Sequence, residues 1–247
     1  MNKAALYVCR PQETVVRGLL KESGSSFDVN VISMTLHRDT ERLKEYLQQQ
    51  INSCSGLYSY MFFCLGLCGR AVVGLRALET PCVFIRAHDC ITFALGSRAR
   101  YMKLFKELTG TYFFTPGWLE AIKNREADSE QFVLDPEGER ELRNKLTEKY
   151  GEDNGEFLFE METGWIKNYR RAMFIGDPRR DDSRSIAYLN DICRRIGWDL
   201  VKETEDYSLL RAFVAGDVSG DDFLVLRPGY EVYETGDERV IDGRPAS

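Results

Sequence analysis

The sequence has no uncharged apolar run of about 18 residues or more, the length a membrane-spanning helix requires. Its longest candidate, Leu57–Leu67, is too short and carries Gly and Ser. The opening residues hold a lone lysine, a short apolar run and then Arg10-Pro11-Gln12-Glu13, which is not the pattern of a secretory signal. A cytoplasmic protein with no membrane partner is the expectation. Basic excess is also missing: 33 Lys and Arg stand against 39 Asp and Glu, for a net charge of −6. A general binder of phosphate backbones needs the opposite balance, so nucleic acid is not an expected partner. The cluster Arg170-Arg171 with Arg179-Arg180 runs straight into Asp181-Asp182 and does not alter that balance. No single-charge tail, low-complexity tract or internal repeat is present.

The standard chemical fingerprints are absent too. There is no CxxC pair, no HExxH and no P-loop, and Gly66-x-x-Gly69 with Gly74 carries no lysine and is not a GxGxxG turn. Histidine occurs twice. Cysteine occurs seven times, an odd number that a cytosolic protein keeps as thiols rather than disulfides. The question is which thiols do more than pack.

What is present is an alternation of strand and helix patterns. Apolar runs at Ala4–Val8, Val29–Ser33, Tyr60–Cys64, Cys82–Ile85, Tyr112–Phe114, Ala172–Ile175, Trp198–Val201 and Phe223–Leu226 read as strands. Between them lie helical spacings such as Leu43, Leu47 and Ile51, with Asp39 or Thr40 as cap, and a helix is also expected from Gly69 to Leu78. The expected fold class is α/β: a mainly parallel sheet with helices on both faces, in Rossmann-like layering, with two βα halves as an option. The chain reads as a single domain over 1–247, with a candidate half-boundary within 120–165, where charged residues dominate. There Phe157, Met161 and Trp165 recur at four-residue spacing as the stripe of an amphipathic helix. The tail from Glu234 reads as polar and frayed.

Ligands of open parallel sheets bind beyond the carboxyl ends of the strands. Four turns are expected on that rim: Cys9, Gly66–Gly69 with Cys68, Arg86–Cys90 with His88 and Cys90, and Thr115–Trp118. Thiolates and imidazole are ligands for zinc, copper(I) and iron–sulfur clusters, so Cys9, Cys68, Cys90 and His88 form the candidate metal set, with Asp89 orienting the imidazole. Without metal, Cys90 is the candidate nucleophile, activated by His88 and a helix start. Arg70 and Arg86 are candidates for holding an anionic cofactor at those same helix starts. Cys64 and Cys82 sit inside apolar runs and Cys193 on a helix's inward face, so all three read as packing residues, and Cys54 lies in a polar helix-end loop.

The combination of Cys9, Gly66–Gly69, Arg86–Ile91, Leu95–Ser97 and Gly110–Glu120, with the later Gly197-Trp198 and the Leu224-to-Gly229 segment, resembles the DUF1638 family. Ile85-Arg86 departs from that pattern, in which a proline precedes the histidine turn. The resemblance runs from Ala4 to about Gly229 and assigns no reaction. It implies an anaerobic setting of metal, cluster or corrinoid methyl-transfer metabolism, in which a small molecule or metallocofactor is bound and a corrinoid or methyltransferase protein is a partner. Three readings follow: a metal- or cluster-binding protein, a metal-free Cys90 enzyme assisted by His88, and a partner-binding protein with Trp118 and Trp165 in its interface.

Overall fold

In the computed structural model, which describes residues 3–37, 39–124 and 133–246, Ala4–Cys9 forms strand β1 and is buried at every position after the first. Such a strand has no polar face because it is covered on both sides. Ala5, Tyr7 and Cys9 point to one side and meet helix α3 (Thr40–Cys54), which follows the short α2 (Met34–His37), through Leu43, Leu47 and Ile51. Leu6 and Val8 point to the other, against α1 (Glu13–Ser23) and α10 (Ser208–Ala215). The alternation continues in β3 (Tyr60–Cys64) and β4 (Cys82–Ile85): Met61, Phe63, Cys82 and Phe84 join the α3 side, and Phe62, Cys64, Val83 and Ile85 the other.

These strands lie in one five-stranded sheet, ordered β2 (Phe27–Ile32), β1, β3, β4 and β8 (Phe223–Leu226). The first four run parallel, and β8 pairs antiparallel with β4, Ile85 opposite Phe223. Two helices start on side-chain caps, the first of them at the expected Asp39. Asp39 accepts the Arg42 N–H at 3.1 Å at the start of α3, and Ser97 accepts that of Arg100 at 3.1 Å at the start of α5 (Arg98–Glu107). Gly24, at φ +68, closes α1.

Three further strands pair in a sheet of their own. β5 (Thr111–Phe114), β6 (Arg171–Gly176) and β7 (Asp199–Thr204) pair in parallel in that order. They belong to a compact unit, Leu104–Glu205, and the five-stranded sheet to another, Met1–Lys103 with Asp206–Ser247. The charged stretch 120–165 thus lies inside the second unit. The chain is mixed α/β, but its strands do not form one continuous sheet.

Three expectations are corrected. No helix spans Gly69 to Leu78, because Gly69 and Gly74 hold φ of +65° and +83°. The segment instead makes one 3-10 turn at Cys68–Arg70 and a bridge from Arg76 to Glu231. The tail is ordered: β9 (Tyr230–Glu234) pairs antiparallel with β10 (Ile241–Pro245), and Val240 and Ile241 are 3% and 0% exposed in the core below α3. Two apolar residues suffice to anchor a segment whose average composition is polar. In the second unit, α8 (Glu152–Thr163) buries Gly155 and Phe159, leaving Phe157 and Met161 in solvent.

Candidate functional site

The carboxyl ends of β1, β3 and β4 carry the thiols. Cys9 is the last residue of β1, and Cys64, the last of β3, lies opposite Val8. Their side chains belong to opposite faces of the sheet, Cys9 with the α3 side and Cys64 with the α1 side. Beyond the strands the parallel ladder continues through the loops. The Leu67 N–H donates to the Ala87 carbonyl at 2.7 Å and the Cys68 N–H to that of His88 at 3.1 Å. This zipper brings Cys68 beside the turn that carries Cys90. Gly66 permits it: a Cβ there would stand 2.8 Å from the Ala87 oxygen and 3.0 Å from the Asp89 nitrogen.

The zipped loop is strained. Cys68, Gly69 and Arg70 hold φ of 44°, 65° and 75°, three left-handed residues in a row, two of them not glycine. Each of the two costs on the order of 1 kcal/mol or more, and such strain persists only where the surroundings impose it. Cys68 is half-buried and packs against the α3-side core, while Cys90 packs against the opposite one.

All seven cysteines are thiols. Burial pushes the Cys9 thiol far above the ordinary range, with smaller additions from Cys68, Cys90 and Cys64. Burial likewise raises Cys64, with Cys90 and Cys68 adding, and Cys68, with Cys90 and Asp89 adding. Cys9, Cys64, Cys68 and Cys90 therefore stand within electrostatic reach of one another. Cys82 is pushed up to about 12 by burial alone, and Cys193, in α9 (Ser183–Ile196) of the other unit, to about 11 by burial and Asp199. Cys64 packs as expected, 1% exposed in the core, and at the same time ends β3 at the rim. The signal it offered was position, since the apolar run ends on it.

The other expected site residues fall as follows. His88 is exposed, with its ring beside that of Tyr101 at 6.2 Å between centroids. Asp89 accepts from the Tyr101 hydroxyl at 3.0 Å and, at 2.9 Å, from the N–H of Ile91, the first residue of α4 (Ile91–Leu95). Burial outweighs those bonds and raises its carboxyl above the usual range. Arg70 is exposed and pairs with Glu234 at 3.0 Å. Arg86 is nearly buried, donating to the Phe223 carbonyl at 3.1 Å, to the Ile241 carbonyl and to Asp242 at 3.1 Å. These acceptors lock β8 and β10 to β4. Thr115 caps α6 (Pro116–Lys123) in the second unit, accepting the Trp118 N–H at 3.3 Å. Trp165 is half-buried, with its ring beside that of Tyr112 at 5.5 Å between centroids. Among the described residues, no three His, Cys, Asp or Glu side chains are already gathered as a metal-holding group.

The family model described as a protein of unknown function, DUF1638, matches residues 31–214. The chain belongs to the DUF1638 family. Cys64, Cys68, His88 and Cys90 lie within the region that defines DUF1638, and Cys9 lies ahead of it. No curated protein matches the chain. Among solved structures, a ligand-free, open substrate-binding protein with adhesive properties from Clostridium difficile is 8% identical over 87% of this chain and 83% of its own, with a TM-score of 0.28. A score that low transfers neither fold nor function.

The buried thiols give a first testable consequence for this DUF1638 protein. A thiol raised by folding contributes stability that is fully present below its unfolded pKa, about 8.5, and is lost as pH rises toward the folded value. Metal-free protein should hence unfold at lower urea concentration as pH climbs above that range. At neutral pH Cys9 and Cys64 should react with iodoacetamide far more slowly than in urea. Equal rates in the two conditions, followed by peptide mass spectrometry, would refute the buried-thiol description.

Proposed function

We propose that the protein is cytoplasmic, layers helices on its larger sheet in a Rossmann-like way, and binds a soft metal ion or an iron–sulfur cluster through Cys9, Cys68 and Cys90, with His88 as a further donor. The observation that carries this reading is that three separate segments bring Cys9, Cys68 and Cys90 to one sheet rim, where the backbone of the Cys68 loop is zipped to the turn that carries Cys90. Three thiolates drawn together at this rim, one of them buried and two half-buried, would repel each other and lose hydration, so a cation is the partner that makes the cluster favourable. The donor set fits a thiol-preferring metal such as zinc, or a cluster.

Closing the thiols on a common centre requires local movement. The turn Cys68–Arg70 is the segment fitted to move, because its left-handed strain is relieved in other conformations. Arg70 sits on that same turn and makes an exposed ion pair to Glu234, an interaction worth about 1 kcal/mol at most. Metallocofactor or corrinoid methyl-transfer metabolism is the setting that family resemblance implies for such a site, with a corrinoid or methyltransferase protein as partner.

The test is elemental analysis with an absorption spectrum on protein purified without oxygen, alongside the Cys68→Ser/Cys90→Ser double variant. Metal or cluster in the native protein that drops at least about tenfold in the variant supports the reading. Equal content in both would sink it. The metal-free alternative, a Cys90 thiolate assisted by His88, predicts an empty protein in which Cys90 alone is alkylated fast.

A further inference from the structure

Helix α8 displays its apolar pair on the wrong side for a core. Gly155 and Phe159 face α7 (Pro136–Tyr150), and the approach is close: a Cβ on Gly155 would stand 2.7 Å from the Thr147 backbone. That contact fixes how α8 is turned. Phe157 and Met161 lie two residues along from Gly155 and Phe159, about 200° around a helix advancing about 100° per residue, so they share the opposite face. They are 62% and 64% exposed. Phe and Met are the residue types enriched where helices dock on protein surfaces.

Charge selects the occupant. Glu152, Asp153, Glu156, Glu160 and Glu162 put five carboxylates on α8, which has no Lys, Arg or His. Arg143 of α7 pairs with Glu156, and the other four are exposed. A second copy meeting this face would set carboxylates against carboxylates. An anionic membrane or a nucleic acid would be repelled in the same way. We propose that this face of α8 docks a cationic amphipathic helix of a partner protein, whose apolar stripe covers Phe157 and Met161 while Lys or Arg side chains meet the acidic rim.

The probe is a fluorescent synthetic helix of Leu and Lys in amphipathic order, with a Leu/Glu peptide of the same pattern as control, titrated into the full chain. Anisotropy should report binding of the Leu/Lys peptide only, weakening as salt rises. Phe157→Ser with Met161→Ser should weaken it by about tenfold or more, a loss on the scale of two buried side chains. Glu160→Gln with Glu162→Gln should weaken it and flatten its salt dependence. Both pairs are exposed, and circular dichroism checks that the fold persists. Absence of Leu/Lys binding, or binding that both variants leave unchanged, overturns the proposal. Self-association of the native chain that the Phe157/Met161 variant abolishes overturns it in favour of a second copy.

Discussion

Gly66→Ala is expected to lower the urea midpoint of unfolding and to loosen the thiol rim in the same step. The added methyl would sit 2.8 Å from the Ala87 carbonyl oxygen and 3.2 Å from its carbon, and both are backbone atoms that cannot swing aside. The loop after β3 must then withdraw from the loop after β4, breaking the Leu67–Ala87 and Cys68–His88 bonds. Overpacking of this kind costs about 1–3 kcal/mol, and two lost backbone bonds bring it to the upper end. Cys68 should become more reactive to iodoacetamide and any metal content should fall. Gly18→Ala is the matched control: it lies in α1, nothing stands within 4 Å of its added Cβ, and it should be neutral or stabilise by up to about 1 kcal/mol. A Gly66→Ala protein as stable as the control would show that the zipper does not hold the rim together.

The second large effect is expected at Arg86. Its side chain is 12% exposed, and its guanidinium donates to two carbonyls and the carboxylate of Asp242. Arg86→Leu strands all three, and removing one partner of a buried pair costs about 3–5 kcal/mol. Asp242→Asn in the same chain should recover part of the loss, which a double-mutant cycle measures. Burial pushes the Asp242 carboxyl up, but the Gly243 N–H and the Arg86 and Arg239 charges outweigh it and hold the group below its usual value. A depressed carboxylate contributes stability that is present above its unfolded pKa, about 3.9, and is lost as pH falls through the folded one. The native protein should therefore lose part of its stability below pH of about 4, and the Arg86→Leu protein should lose less over that interval. A cost under about 1 kcal/mol, the range of an exposed pair, would contradict the description of Arg86 as the clasp of β8 and β10.

Local chemistry made much of this fold legible in the sequence. Asp39, Ser97 and Thr115 cap the helices they precede, and Gly24, Gly197 and Gly216 end helices in the left-handed conformation that glycine adopts cheaply. The buried strands announced themselves as unbroken apolar runs. Partner choice did not. β5 reads much like β3 and β4, yet it pairs only within the second sheet, because pairing depends on contacts far along the chain. Phe157, Met161 and Trp165 show the helical period, but a period says which residues share a face and not which face is inward. At the rim, the turns with Cys68, His88 and Cys90 stood out by residue type. Cys64 was hidden because its apolar flanks describe a core, and its nearness to the other thiols comes from strand order. The reading of Gly69–Leu78 failed on the two glycines whose positive φ bends the segment.

The antiparallel strand β8 has a consequence for how the protein is made. Arg86 waits for a carbonyl 137 residues further along the chain. On the ribosome, which adds about 5–20 residues per second, the parallel strands β1 to β4 emerge first while the outer edge of β4 stays open. The whole of Leu104–Glu205 is synthesised before the closing strand appears. A chain stopped after the second unit would carry that bare edge permanently, so premature termination in this gene should yield an aggregating product rather than a shorter working protein.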